Sequence, residues 1–280
     1  MFGKLFGQKQ DQGNKVPEDP NQPYLAPLQP DQISRVVEII NETDDDDAED
    51  ADKVLRARGC ANMYALWHQN RIVGVTGFAA TEASNDTAWL SWTYLEEQAR
   101  GKALGRFMID ELLLILNKHK IRKIFIATSD YMEGGEDVYA DARKFYTSLG
   151  SKLELTLPGF YSADESKLIY GLVNPGMGKK ESLDDLGDRG MVITGIELDE
   201  DSDDVGAILW KEDETGSVDA ERVKGLANSQ NFRVCFLALP ADISDVMTAG
   251  LTREGFDRIG MLDDYYALGL GQVWWRFQLT

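Results

Sequence analysis

Arg100-Gly101-Lys102-Ala103-Leu104-Gly105 has the residue types and spacing of an anion-binding turn. An apolar run, Ala88 to Leu95, precedes it, and a second, Phe107 to Leu116, follows. A strand that passes through a short glycine loop into a helix aims the unpaired N–H groups of the first helical turn at the loop. Gly101 permits a tight turn, and Gly105 permits close approach of a ligand or helix. Arg100, Lys102 and Arg106 gather positive charge in a chain whose formal net charge is −19. The ligand for such chemistry is a polyanion such as a pyrophosphate. A tight β–α turn with solvated basic residues has the same features, and the loop by itself does not decide.

The elements around the loop follow from periodicity. Ile33, Val36, Val37 and Ile40 recur at helical spacing after Pro30-Asp31. The acidic run Asp44 to Asp47, with Glu49 and Asp50, interrupts that pattern, and a short helix follows around Val54-Leu55. Met63 to Trp67 and Arg71 to Phe78 read as a hairpin turning at Gln69-Asn70. The apolarity of Phe107 to Leu116 predicts a helix buried on most faces. Ile124 to Ala127 is a buried strand. Positions 138, 142, 145, 146 and 149 share one helix face that ends at Gly150. Leu153 to Leu157 and Lys167 to Leu172 are two further strands. The order strand, loop, helix, strand after an antiparallel hairpin predicts an α/β fold with a mixed sheet flanked by helices.

Composition narrows the class. A hydrophobic fraction of 43% in 280 residues supports real cores and is long enough for two modest domains. The acidic balance argues against nucleic acid and anionic membranes as partners. Cys60 and Cys235 sit in or beside apolar stretches with no metal-ligand pattern, so a reducing cytoplasm fits and no metal is expected. No segment reads as a signal peptide or membrane span. Residues 1–22 read as a flexible tail, 23–175 as the first domain, 176–190 as a polar linker and 191–280 as a second, shorter unit.

The loop and its surroundings resemble the GNAT superfamily of N-acetyltransferases. The family signature, Arg/Gln-x-x-Gly-x-Gly/Ala after a strand, aligns with Arg100 to Gly105, with Ala103 where glycine is usual. A second register, Gln98 to Ala103, also satisfies it; the first is preferred because Gly105-Arg106 then opens the helix. Leu90-Ser91-Trp92-Thr93-Tyr94-Leu95 is similar to the family's fourth strand. Ala142 to Gly150 is similar to its closing helix, with Ser151 replacing the usual final Phe. The resemblance covers roughly residues 23–173. It implies a direct transfer from acetyl-CoA to an amine of a small molecule or peptide, with no Ser or Cys nucleophile. It implies that Thr93, Tyr94 and Leu95 line the pantetheine arm. The pyrophosphate would lie on Arg100, Gly101, Lys102, Ala103, Leu104, Gly105 and Arg106. Tyr146 would be the general acid for the departing thiolate; on its residues alone it reads as a core aromatic. No base is readable; Glu96 and Glu97 lie close to the site in sequence, and solvated side chains are the alternative reading for either. The acidic run borders the family's acceptor cleft, which implies a cationic acceptor; a solvated acidic loop is an equal reading. A worn, non-catalytic acyl-CoA-binding or interaction module is the alternative reading.

Residues 205–278 repeat the first unit's order. Leu262 to Ala267 echoes Leu157 to Ser162, and Val273 to Phe277 echoes the strand near Leu168 to Tyr170. The expectation is a truncated, degenerate GNAT-like half, packed on the first; an unrelated small α/β domain is the alternative. Its loop, Glu212 to Ser217, is acidic and would repel a pyrophosphate.

Overall fold

The computed structural model describes residues 19, 21–81, 84, 86–175, 177, 189–199, 201–214 and 216–279. Most of the 1–22 tail and of the 176–190 linker lies outside them. By contacts the chain divides into two compact units, 1–124 with 174–178, and 125–173 with 179–280.

The first unit opens with β1 (Tyr24–Pro27), followed by α1 (Ile33–Asn41) and α2 (Asp45–Arg58). Then come β2 (Met63–His68), β3 (Arg71–Ala80), β4 (Thr87–Leu95) and α3 (Leu104–Lys118). Its strands lie in the order β1-β2-β3-β4, each pair antiparallel. The hairpin turn falls where expected: Gln69 and Asn70 both have positive φ, 52° and 59°, the conformation of tight hairpins. Ile33, Val36, Ile39 and Ile40 of α1 bury against Ala48, Ala51 and Leu55 of α2 and against β2 and β3.

Two local expectations change. The helix α1 ends at Asn41, ahead of the acidic run, but the run itself is helical: it starts α2, which extends through Val54-Leu55. Asp44 caps that helix by accepting the Asp47 N–H at 2.9 Å, and Asp45, Asp46 and Asp47 fill its first turn. Carboxylates there are favoured by the exposed N–H groups and the helix dipole. The helix α3 is amphipathic, with Leu104, Met108, Ile109, Leu112, Ile115 and Leu116 buried and Leu114 55% exposed.

The second unit begins within β5 (Lys123–Ser129) and continues through a two-stranded ribbon, β6 (Met132–Glu133) and β7 (Glu136–Asp137). Next are α4 (Ala140–Ser148), β8 (Lys152–Ser162) and β9 (Glu165–Val173), with β9 between β5 and β8. A separate sheet then forms from β10 (Gly190–Leu198), β11 (Val205–Asp213), β12 (Val234–Pro240), β13 (Phe256–Ala267) and β14 (Leu270–Gln278). The helices α5 (Ala220–Ser229) and α6 (Ala241–Arg253) flank it. The order in this sheet is β10-β11-β12-β14-β13; β11 and β12 are parallel and the other neighbours antiparallel, so the sheet is mixed. Sequence reading missed β10, whose run Met191-Val192-Ile193 is interrupted by Thr194-Gly195.

The late sheet repeats details of the earlier chain. The β8–β9 ladder shifts register between Leu153 and Leu155 and between Leu157 and Ser162. The β13–β14 ladder shifts between Arg258 and Gly260 and between Leu262 and Ala267, each position 105 residues further along. Gly159 and Asp264, at the same offset, both have positive φ, 68° and 53°. Asp86 and Arg122 immediately precede β4 and β5; they pair at 3.1 Å, and the Arg122 N–H donates to the Asp86 carbonyl at 2.8 Å. Asp204 and Arg233 immediately precede β11 and β12; they pair at 2.9 Å, with the same main-chain bond at 2.8 Å.

These two ion pairs differ in burial. Both side chains of the first are under 10% exposed, whereas Asp204 is 42% exposed. Asp86→Leu should therefore cost about 3–5 kcal/mol, because it strands a buried guanidinium, while Asp204→Leu should cost about 1 kcal/mol or less. Urea unfolding of the two variants checks the contrast.

Candidate functional site

The site is built around the exit from β4. Along β3, residues Ile72 to Phe78 are all buried, yet every residue of β4 from Trp89 to Leu95 is only half-buried. The ladder between the two strands is irregular: Val75 faces Tyr94 and Gly77 faces Ser91. One residue of β3, Thr76, therefore spans two of β4, Trp92 and Thr93. Such a bulge takes a backbone group out of the ladder and re-aims it. Side chains hold it, since Thr93 Oγ1 lies 2.9 Å from Thr76 Oγ1 and 2.9 Å from the Ser91 carbonyl. The bulge has no sequence signature.

The chain then turns into α3 through two left-handed residues. Gly101 has φ 71°, as expected for a tight turn. Ala103, at the N-cap of α3, has φ 62° and ψ 4°. A non-glycine residue in this region costs about 1 kcal/mol. Ala103 is thus where the family's usual glycine would relieve strain. Its carbonyl accepts the Phe107 N–H at 3.1 Å, which closes the first turn. That turn carries no acidic residue, so its dipole faces an anion without competition. Gly101, Lys102, Ala103 and Arg106 are exposed, and Leu104 is buried as the anchor.

Arg100 serves the loop itself. Its Nε donates to the Leu95 carbonyl at 3.1 Å and its Nη2 donates to Thr43 Oγ1 at 2.6 Å. It ties the end of β4 to the segment before α2. Tyr94 reaches the same segment, donating from its hydroxyl to the Asp47 carboxylate in a short bond. The acidic first turn of α2 thus lies against β4.

The structure corrects the reading of Glu96 as solvated. It is 4% exposed. Arg35 Nη2 and Arg71 Nη1 each lie 2.5 Å from its carboxylate, which compensates the charge that burial would otherwise penalise. These three residues line a cleft of about 320 Å³ with Glu42, Glu97 and Gln98. Both carboxylate oxygens of Glu96 are engaged by guanidiniums. Asp86 is likewise engaged, with Arg122, and Thr87 Oγ1 lies 2.6 Å from Thr81 Oγ1. His119 packs edge-on against Phe78 at 5.3 Å. Burial raises the Cys60 thiol, and it pushes Cys235 up to about 11, partly offset by the Gly206 N–H. Neither is a thiolate near neutral pH.

Tyr146 lies on α4, in the second unit. It is half-buried, with its ring 5.8 Å from Phe145. Its carbonyl accepts the N–H groups of Leu149 and Ser151 at the helix end.

Residues 29–150 match the family model for the Acetyltransferase (GNAT) family. These residues are a GNAT domain. Solved structures similar to the chain include a Desulfovibrio desulfuricans protein assigned to GNAT acetyltransferases. It is 25% identical, with a TM-score of 0.47, and the match covers 55% of this chain and 98% of that one. The ribosomal-protein-S18-alanine N-acetyltransferase of Escherichia coli is 14% identical over 58% of this chain and 99% of its own, with a TM-score of 0.46. A Salmonella typhimurium protein assigned as an acetyltransferase, solved with acetyl-CoA, is 13% identical over 57% and 99%, with a TM-score of 0.45. No curated protein matches the chain. Among the described residues no helix is long and apolar enough to cross a membrane.

The left-handed Ala103 yields a direct test on this GNAT domain. Ala103→Gly should raise stability by about 1 kcal/mol, since the native φ is one that glycine adopts without strain. Denaturant unfolding of that variant checks it.

Proposed function

We propose that the chain is an acetyl-CoA-dependent N-acetyltransferase acting on an amine, with its donor on the β4–α3 loop. The observation that carries this reading is the GNAT domain at 29–150, whose loop has the exposed, non-acidic helix start and left-handed turn that a pyrophosphate needs. Gly101, Lys102, Ala103, Gly105 and Arg106 would surround the phosphates, with Leu104 anchoring the loop. Thr93, Tyr94 and Leu95 would line the pantetheine arm. When bound, acetyl-CoA supplies an acyl group activated as a thioester.

This chain's own groups would do the rest. The backbone freed at the Trp92–Thr93 bulge is suited to donate to the oxygen on which charge develops. The amine nitrogen must attack in neutral form, forming the N–C bond as the C–S bond breaks. One proton leaves the nitrogen and one arrives at the sulfur. Tyr146 is proposed as the donor of the second proton, on the strength of the family resemblance. The Asp44 to Asp47 turn, held against β4 through Asp47 and Tyr94, supports a cationic acceptor. Acidic residues there would lower the local potential and draw an ammonium or polyamine toward the strand.

We further propose that residues 191–280 are a degenerate GNAT-like half that binds no donor. The strands β11 and β12 pair only from Val205–Val234 to Ala207–Phe236 and then part. Into that opening Trp210 donates its indole N–H to the Ala238 carbonyl at 2.9 Å. Arg189 ties Glu212 at the end of β11 to Asp242 on α6, at 2.6 and 2.5 Å. The register shift lies on β10, at Thr194, so β11 carries no extra residue. In this reading Trp210 stands where a donor arm would lie.

Ala103 favours the competing reading of a binding module without turnover, because its methyl projects from the loop. Release of thiol from acetyl-CoA across a panel of amines separates the two readings. Calorimetric titration should saturate near one acetyl-CoA per chain, and a folded Gly105→Glu variant should bind none, because a carboxylate would face the phosphates. Undiminished binding by that variant, or a second equivalent, would sink this account. Tyr146→Phe should lower turnover by about 10²-fold with little effect on donor affinity. Asn in place of Asp44 to Asp46 should raise the acceptor KM and flatten its salt dependence; an unmoved KM would leave the carboxylates as surface charge only.

A further inference from the structure

Within the second unit, the contacts between the earlier strands and the late sheet are reciprocal. Phe125, the third residue of β5, lies 5.2 Å from the ring of Tyr265 on β13. Phe236, the third residue of β12, lies 5.8 Å from the ring of Phe160 on β8. Phe160 and Tyr265 are equivalent by the 105-residue offset that relates every register shift of the two hairpins. Residue i therefore meets j of the other copy, while the other copy's i meets j of the first. Such reciprocity is the signature of a two-fold interface.

The centre of that interface can be located. Leu155 and Gly260 are equivalents by the same offset, and they touch each other: a Cβ on Gly260 would lie 2.8 Å from Leu155 Cδ1. A residue that meets its own equivalent sits on the axis. We infer that β8 with β5 and β13 with β12 meet across a two-fold-like axis between Leu155 and Gly260, so that the late half occupies the surface on which a second copy of the chain would sit. This inference rests on reading the late half as a copy.

The two sides have diverged at the axis into a knob and a notch. Two leucines would crowd there, whereas Leu155 fills the space that Gly260 leaves. A second divergence lies close by. Glu154 Oε2 accepts the Asp263 N–H at 3.0 Å. The mirror of that bond would run from Pro158, which has no N–H, to Ile259, which has no acceptor in its side chain. Both differences favour the late half over another copy of β8 and fix which partner takes which side.

The test is an exchange on the full chain, with the urea midpoint as readout. Leu155→Gly should lower the midpoint by leaving a cavity, and Gly260→Leu should lower it by crowding. The swapped chain, Leu155→Gly with Gly260→Leu, should regain at least about half of the summed loss, because neighbours across an axis couple. If Gly260→Leu does not fold, the swapped chain should still fold. A swapped chain that is no better than the sum of its single changes, or that fails to fold, overturns the axis. The readout uses no acetyl-CoA, so it stands or falls apart from the proposed activity.

Discussion

The passage from β4 into α3 is the constraint on which the site depends. The chain must leave a strand and start a helix between Glu96 and Ala103, and it does so through two left-handed residues. That turn is not held by local chemistry alone. Glu96 is pinned between Arg35 from α1 and Arg71 from β3. Arg100 reaches back to Leu95 and across to Thr43. Three elements of the first unit and the segment before α2 therefore converge on a loop whose exposed face is left to Gly101, Lys102, Ala103 and Arg106. A loop braced in this way can present N–H groups to an anion without first being ordered by it.

The late half shows what the same strand order does without that brace. It keeps the aspartate–arginine pair before its parallel strands, the hairpin shifts and the positive φ at the β13 turn. These features are structural, because they hold strands in register. Its second strand carries no extra residue, and a tryptophan lies in the opening beside it. If the late half is a copy, as proposed, scaffold features and chemistry-bearing features have separated between the halves. That separation supports a division of labour within one chain.

Much of the order of elements was legible because it rests on local rules. The hairpin at Gln69-Asn70 follows from turn chemistry, and the end of α4 at Gly150, φ 94°, from the same source. The echo of Leu157 to Ser162 in Leu262 to Ala267 could be read residue by residue, and the register shifts fall on it. The acidic run was misread because six carboxylates within seven residues look like a solvated loop, whereas their position at a helix start makes them favourable. The strand β10 was missed because a polar pair, Thr194-Gly195, divides its apolar run at the bulge.

The amino-acid sequence by itself determined the candidate loop, the α/β order of elements and the echo of Leu157 to Ser162 in Leu262 to Ala267. Each of these depends on periodicity, on the φ preferences of glycine and on the spacing of charges, all of which act over a few neighbouring residues. Only the tertiary structure decided that Glu96 is ion-paired, that Tyr94 meets Asp47, that β4 bulges at Trp92–Thr93, and that Leu155 faces Gly260. Those facts join residues from about 15 to more than 100 positions apart. Which of many acidic, aromatic and small residues become neighbours is set by strand pairing and core packing, and no local pattern encodes that choice.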